Sequence, residues 1–125
     1  MTETTQFANL YDMPRETVRR GVERAGFRGK DFIAVMNWLT PGMDLAPHKH
    51  EFEQVAIILQ GQVRFHVGDE VFEAGPGGSI RIPAGVMHHA EPVGTEVVLN
   101  LDIFSPVRPD YLHLVAGQDG DASKP

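Results

Sequence analysis

The sequence contains no cysteine. This absence excludes disulfides, thiolate metal ligands and thiol nucleophiles, since all three need that side chain. The chain does carry six histidines, which bind metals as neutral imidazoles. Any metal-binding chemistry is therefore expected to depend on histidine and on oxygen donors.

The sequence also lacks a long apolar run and an apolar leader. No stretch approaches the roughly 20 apolar residues that a membrane-spanning helix needs. The N-terminal residues MTETTQFANL have neither a basic start nor an apolar segment, so no secretory signal is predicted. We therefore expect a cytoplasmic protein with no membrane partner.

Positive charge is scarce. The chain has 11 lysines and arginines against 17 acidic residues, a formal charge of -6, which argues against nucleic acid as a partner. One basic group stands out, and its arginines alternate with glutamates, which is typical of a solvated surface. Its members are Arg15, Arg19, Arg20 and Arg24, with Glu16 and Glu23 between them.

Short apolar segments separated by glycine and proline make up most of the chain. The 125 residues suffice for one domain, and this punctuation is typical of an all-β protein. The predicted strands are Gly21–Ala25, Phe32–Leu39, Gln54–Gln60, Val63–Val67, Glu70–Ala74, Ser79–Ile82, Met87–Glu91 and Glu96–Phe104. Such closely spaced strands without a long helix indicate a sandwich or a small barrel.

The flanks of these strands carry weaker signals. Residues 14–20 are expected to form one short helical turn, with Pro14 at its first position. Residues 1–6 and 117–125 are small and polar and are expected to be disordered, which leaves 7–116 as the single domain.

Two histidines, His48 and His50, stand one residue apart before the apolar run that begins at Gln54. On a strand such a pair projects from one face, close enough to share an ion. With His88, three imidazoles and an amide oxygen would bind one divalent transition metal, Fe, Mn, Co, Ni, Cu or Zn, and leave positions open for substrate. A surface pair without a metal is the simpler interpretation of two histidines taken alone.

The remaining histidines are not expected to be ligands. His89 follows His88 directly and should point to the other face of its strand. His66 alternates with apolar residues and is interpreted as half-exposed, with the mouth of a barrel as the alternative position. His113 lies near the C-terminal end and is interpreted as structural.

The spacing around the histidines favours the metal. One pattern, G-x5-H-x-H-x3-Q-x6-G, runs from Gly42 to Gly61, and a second, G-x5-P-x-G-x2-H, runs from Gly77 to His88. They resemble the two motifs of the cupin superfamily, in its single-domain cupin 2 type. The resemblance implies a small antiparallel barrel, the double-stranded β-helix or jelly roll, with the metal inside. The first motif usually carries glutamate where this chain has Gln54.

Glutamine in place of a carboxylate leaves the charge of a bound ion uncompensated. An anionic substrate is then attracted more strongly, and bound water or a bound carbonyl is polarised more strongly. A ferric state is less well compensated. The substitution favours Lewis-acid chemistry such as isomerisation, lyase chemistry or hydration, and leaves a dioxygenase open.

The last predicted strand has two different faces. Its odd-numbered residues are aliphatic, whereas Asn100, Asp102 and Phe104 share the even-numbered face, which we interpret as a pocket wall that contacts substrate. The alternative is an edge strand with one exposed ring. Arg108 follows between two prolines, in a position suited to a bidentate grip on a carboxylate.

Two segments, HKHEFEQ and LDIFSPVRPDYL, resemble the KdgF pectin-degradation family. That family converts 4,5-unsaturated monouronates into the linear keto form. The resemblance implies a homodimer acting on a small acidic substrate. It implies metal ligands at His48, His50, Gln54 and His88, catalytic roles for Asp102 and Arg108, and contact with substrate by Phe104 and Arg108. Gly77-Gly78 stands where the family has Gly-Asp.

Two other functions remain open on the same site. One is a dioxygenase or polyketide cyclase whose apolar pocket would be lined by Met36, Trp38, Met43, Met87 and Phe104, although core packing is the commoner role of such residues. The other is a non-catalytic module that binds a small acid.

Overall fold

The computed structural model describes residues 4–118, and within that range strands are the main regular structure. The strands are β1 (Glu16–Arg19), β2 (Val22–Arg28), β3 (Ile33–Leu39), β4 (Glu53–Gln60), β5 (Gln62–Val67), β6 (Glu70–Ala74), β7 (Ser79–Ile82), β8 (His88–Val93) and β9 (Val98–Ser105). Short 3-10 helices cover Leu10–Asp12 and Pro109–Val115. None of the helices in the described part of the chain is long and apolar enough to cross a membrane.

The strands form two antiparallel sheets that face each other. The larger has the order β1-β2-β3-β9-β4-β7 and the smaller the order β6-β5-β8. The last strand, β9, is therefore central, hydrogen-bonded to β3 on one side and to β4 on the other. The predicted all-β antiparallel barrel is confirmed.

The core lies between the sheets and follows the alternation of the strands. Val63, Phe65 and Val67 of β5 point inward onto Ala56 and Ile58 of β4. Burying one such aliphatic or aromatic side chain contributes about 1.5–3 kcal/mol. Between the two strands Gly61 adopts a positive φ of 84°, and a Cβ there would lie 2.9 Å from a methyl carbon of Val98. Only glycine fits this turn without strain.

The prediction of a helical turn at residues 14–20 is wrong. Glu16–Arg19 forms β1, which pairs antiparallel with β2. Thr17 and Val18 are β-branched and favour an extended backbone, and β2 offers a free edge for pairing. An ion pair of 2.6 Å joins Arg24 of β2 to Glu16 across this pair of strands. The eight predicted strands each overlap one of the observed strands β2 to β9.

The C-terminal 3-10 helix closes one end of the sheet. Its Val115 is fully buried in a cluster with Ile33, Val35 and Phe104. The predicted tails, 1–6 and 117–125, fall partly outside the described residues. Within that range, the Gln118 side chain accepts a hydrogen bond from the Arg28 backbone N–H at 2.9 Å and donates one to the Arg28 carbonyl at 2.8 Å.

Candidate metal centre

Three histidines converge inside the barrel. His48 and His50 precede β4, and His88 begins β8. The backbones of His48 and His88 exchange two hydrogen bonds of 3.0 and 2.8 Å, which brings the two motif segments together. One ring nitrogen of each histidine lies within 4.8 Å of those of the other two. His88 is buried and His48 exposed, so the cluster opens to solvent on the His48 side.

The backbone fixes the protonation of the three rings. Each Nδ1 lies 2.8 Å from a main-chain carbonyl oxygen. The contacts join His48 to Ala46, His50 to Phe52 and His88 to Val86. Because a carbonyl only accepts, each Nδ1 must carry the proton, and each Nε2 is left with a lone pair. Metal-binding histidines are commonly oriented in this way.

The lone pair of His88 has no partner among the described residues. Its Nε2 is buried and makes no hydrogen bond. Burial is the main cause that lowers the pKa of His88, to about 4, and it also lowers the pKa of His50. Both rings therefore stay neutral at physiological pH. An unpartnered buried acceptor is costly, and a bound cation would satisfy it.

Gln54 supplies the oxygen donor. Its Oε1 lies 3.1 Å from Nε2 of His50, and its Nε2 donates a hydrogen bond of 2.7 Å to Oδ1 of Asp102. The carboxylate can only accept from the amide, so it turns the amide oxygen toward the histidines. With the proton of His50 on Nδ1, two acceptors face each other at 3.1 Å. That is the arrangement expected of two ligands of one cation, so the donor set fits a divalent metal.

Asp102 is held by amides on both of its oxygens. Besides Gln54, Oδ1 accepts from Asn100 at 2.8 Å, and Oδ2 accepts from Asn37 at 3.0 Å. Burial raises the pKa of Asp102 to about 6, although these three amide donors act in the opposite direction. Asn37 and Asn100 are direct partners in the β3–β9 register. Asn100 and Asp102, which we predicted to form a pocket wall, both line a cavity between the sheets.

Phe104 and Arg108 lie side by side at the edge of the centre. Phe104 is buried, and its ring meets that of His50 edge-on with centroids 5.5 Å apart. Arg108 is 7% exposed and forms two bonds with Asp110, of 3.1 Å from Nε and 2.7 Å from Nη2. Its guanidinium carbon lies 4.0 Å from the ring centroid of Tyr111. Arg108 is therefore enclosed, with its charge already paired.

The candidate metal centre opens into a cavity of about 100 Å³ between the sheets, which we call the metal cavity. Its wall includes His48, His88 and Asp102, and also Arg19 and Arg24 from the first two strands. Arg108 is absent from the described residues that line it. A larger groove of about 760 Å³, bordered by Phe27 and Leu114 among others, contains none of the three histidines.

Comparison with known proteins decides the family. The family model for the cupin domain matches residues 38–104. The chain belongs to the cupin family. The match spans both histidine motifs and ends at Phe104, so it covers the four proposed ligands of this cupin.

Solved structures similar to this cupin span most of its length. KdgF from Halomonas sp. is 26% identical, with 86% of this chain and 98% of that chain covered and a TM-score of 0.76. An RmlC-like cupin from Shewanella frigidimarina NCIMB 400 is 24% identical, with 89% and 99% covered and a TM-score of 0.73. The polyketide cyclase RemF from Streptomyces resistomycificus is 21% identical, with 82% and 80% covered and a TM-score of 0.67. No curated protein matches the chain.

Sequence reasoning missed two features of this site. Asn37 was not singled out, although it is the lone amide in the apolar strand IAVMNWL. Arg19 and Arg24 were interpreted as solvated surface, yet both line the cavity. The alternation of charges around them hid the fact that they belong to a strand pair with one face turned inward.

The apolar pocket considered for a dioxygenase or cyclase is divided among different regions. Met36 and Trp38 pack with Ala25 and Leu99 in a cluster separate from the barrel core. Met87 is 48% exposed. Of the residues predicted to line that pocket, Met43 and Phe104 do lie on the cavity wall.

Proposed function

We propose that this cupin is a metal-dependent isomerase that converts a 4,5-unsaturated monouronate into its linear keto form. The observation that carries the proposal is a set of neutral candidate metal ligands beside an acid, Asp102. The Asp102 carboxylate orients Gln54 through a hydrogen bond and is not itself one of the candidate ligands. The similarity to KdgF supports the substrate class.

His48, His50 and His88 would hold the ion through Nε2, and Gln54 would hold it through Oε1. All four donors are neutral, so the ion would keep its charge and polarise oxygen atoms of the sugar acid. Two observations support this ligand set: the unpartnered Nε2 of His88 and the two acceptors that face each other at His50 and Gln54.

Asp102 would move the proton. Opening the ring removes a proton from the anomeric hydroxyl, forms the C1 carbonyl as the bond between C1 and the ring oxygen breaks, and leaves an enolate at C5. Protonation at C4 then gives the ketone, so one group that accepts the first proton and returns it balances the reaction. A pKa of about 6 suits this role, because both forms of the carboxyl are accessible near neutral pH.

Phe104 would pack against the sugar ring and exclude water on the side of His50, and Asn100 would keep the Asp102 carboxylate oriented. Arg108 would act from behind Phe104, since its guanidinium lies 4.6 Å from the centroid of that ring. A residue in that position supports the wall of the site.

An absorbance assay tests the proposal directly. Metal-loaded protein is incubated with an unsaturated monouronate, and the loss of ultraviolet absorbance of the conjugated enol ether is followed. We expect loss with loaded protein and none after chelation. Asp102→Asn should slow turnover about 10²- to 10⁴-fold while leaving substrate affinity largely intact. Unchanged absorbance with fully loaded protein contradicts the proposal, and a non-catalytic binder would behave in that way.

A further inference from the structure

Two arginines from the first two strands lie on the wall of the metal cavity. Arg19 ends β1 and Arg24 lies in β2, and both line the cavity together with Asn37, Asp102 and Tyr111. The carboxylate of a small acid coordinated at the metal centre would lie inside the same enclosure. To bind there, it needs a guanidinium that is not already paired with another carboxylate.

Most of the nearby arginines already have carboxylate partners. Arg24 bonds to Oε1 of Glu16 from Nε at 2.8 Å and from Nη2 at 2.6 Å. Arg108 is paired with Asp110 in the same two-bond manner. Arg20, the neighbour of Arg19 in sequence, bonds to Oδ1 of Asp44 at 3.0 and 2.7 Å. A guanidinium that already binds a carboxylate must release that partner before it binds another.

Arg19 differs from all three. Its Nε donates a hydrogen bond of 2.7 Å to the main-chain carbonyl of Asp44, which fixes the side chain. Within residues 4–118 no carboxylate oxygen lies within 4.0 Å of its guanidinium nitrogens. The two terminal nitrogens are therefore available, while the Nε bond limits the freedom that binding would otherwise remove.

The surroundings of Arg19 also favour an anion. Burial lowers the pKa of the Arg19 guanidinium, the neighbouring Arg24 lowers it further, and Asp44 acts in the opposite direction. The group stays charged in spite of this, because arginine does not lose its proton in proteins. A half-buried cation with another cation nearby gains more from a carboxylate than an exposed one does.

We propose that Arg19 binds the carboxylate of the acidic substrate in the metal cavity. The inference takes the acidic substrate from the proposed function and moves its carboxylate from Arg108, as the sequence suggested, to the β1–β2 hairpin. Arg108 then serves to hold Phe104 and Tyr111 in place, consistent with its enclosure by those rings.

Binding of a saturated uronate tests the proposal without requiring turnover. Zinc-loaded protein is titrated calorimetrically with galacturonate and with galactose, which has the same ring but no carboxylate. We expect the wild type to prefer galacturonate. Arg19→Gln should weaken galacturonate binding about 10- to 100-fold, the size of a lost charge-assisted hydrogen bond, and leave galactose unaffected.

Arg20→Gln is the matched control, because Arg20 is adjacent in sequence but 69% exposed and paired with Asp44. It should bind galacturonate as the wild type does. Arg19→Lys keeps the charge without the planar fork and should show an intermediate loss, which also tests the idea if Arg19→Gln folds poorly. Circular dichroism melting checks the folding of each variant.

Three results would overturn the assignment. They are equal galacturonate affinity in Arg19→Gln or Arg19→Lys and the wild type, no preference of the wild type for galacturonate over galactose, and an equal loss in Arg20→Gln. A failure of the proposed function looks different. In that case galacturonate binding would still depend on Arg19, whereas the absorbance of the unsaturated monouronate would not change.

Discussion

Two groups of histidines meet at the start of β8 and have different surroundings. His88, the first residue of the strand, joins the inner cluster with His48 and His50. His89, the second, stacks on His66 of β5, with ring centroids 4.3 Å apart and the planes within 5° of parallel. The alternation of side chains along one strand separates the two groups.

The two groups differ in what their nitrogens contact. In the inner cluster every Nδ1 is bound to a backbone carbonyl, and the lone pairs of Nε2 remain. In the outer pair, Nε2 of His66 lies 3.1 Å from a carboxylate oxygen of Glu91, and the stacked rings do not converge on one point. A metal centre needs convergent, unused lone pairs, and among the described residues the inner cluster alone provides three.

Replacing one histidine in each group should give the largest difference in zinc affinity. His88→Asn removes a proposed metal ligand, and we expect zinc affinity to fall by more than about 100-fold, since even the loss of a residue that supports a ligand costs about 10- to 100-fold. His89→Asn should leave affinity within a few fold of the wild type. Calorimetry or competition with a chromogenic chelator measures both.

The reverse pattern would refute the assignment of the ligands. Loss in His89→Asn with full affinity in His88→Asn would place the metal on the outer pair. Thermal melting of both metal-free variants shows whether either loss comes from misfolding.

Much of this contrast could be predicted from the sequence. The strands follow from runs of β-branched and aromatic residues bounded by glycine and proline, and a one-residue offset puts His88 and His89 on opposite faces. The prediction of a helical turn at residues 14–20 was wrong because β1 is formed by pairing with β2. The local sequence of Thr17 and Val18 favours this tertiary contact only weakly.

The environment of each site residue was harder to predict. Arg108 has the sequence context of a free guanidinium, but Asp110, two residues later, pairs with it in the folded chain. Arg19 has the sequence context of a surface residue, yet it lies on the cavity wall. Which carboxylate pairs with which arginine depends on side-chain packing between strands, and spacing along the chain does not determine it.

The pKa values of His88 and of Asp102, the partner of Gln54, sharpen the comparison further. In metal-free protein the folded-state pKa of His88 is lowered from 6.5 to about 4, so its contribution to stability is present above pH 6.5 and is lost as the pH falls. The pKa of Asp102 is raised from 3.8 to about 6, so its contribution is present at low pH and is lost as the pH rises. Between pH 4 and pH 6, His88 makes the free energy of unfolding rise with pH, whereas Asp102 makes it fall.

Asp102→Asn should reveal the pH dependence of stability that His88 causes, because the opposing effect of Asp102 is removed. In the metal-free variant we expect the free energy of unfolding to rise by roughly 3 kcal/mol from pH 4 to pH 6.5, whereas in the wild type it should change much less. Urea titrations at several pH values measure this difference. Asp69→Asn, in the exposed β5–β6 turn, is the control and should follow the wild type. Parallel curves for Asp102→Asn and the wild type would show that the two groups do not oppose each other.

The last difference between the groups is the partner of the imidazole, an amide in the inner cluster and a carboxylate in the outer pair. Gln54→Glu would give the inner cluster a carboxylate but would place it against Asp102, across a contact that is 2.7 Å in the wild type. We expect the metal-free variant to lose about 1–3 kcal/mol of stability, because a donor is replaced by a second acceptor in a buried position.

Adding Asp102→Asn to Gln54→Glu should recover most of that loss, since the new amide can donate to the new carboxylate and the original bond is re-formed in reverse. Urea unfolding of the two single variants and the double variant gives the coupling, which we expect to reach about 1–2 kcal/mol. Strict additivity would mean that Asp102 does not orient the residue at position 54. A double variant that regains stability and binds zinc, but leaves the unsaturated monouronate unchanged, would separate the two proposed roles of Asp102. In that variant the residue at position 54 would again be oriented by a hydrogen bond, whereas the acid that transfers the proton would still be missing.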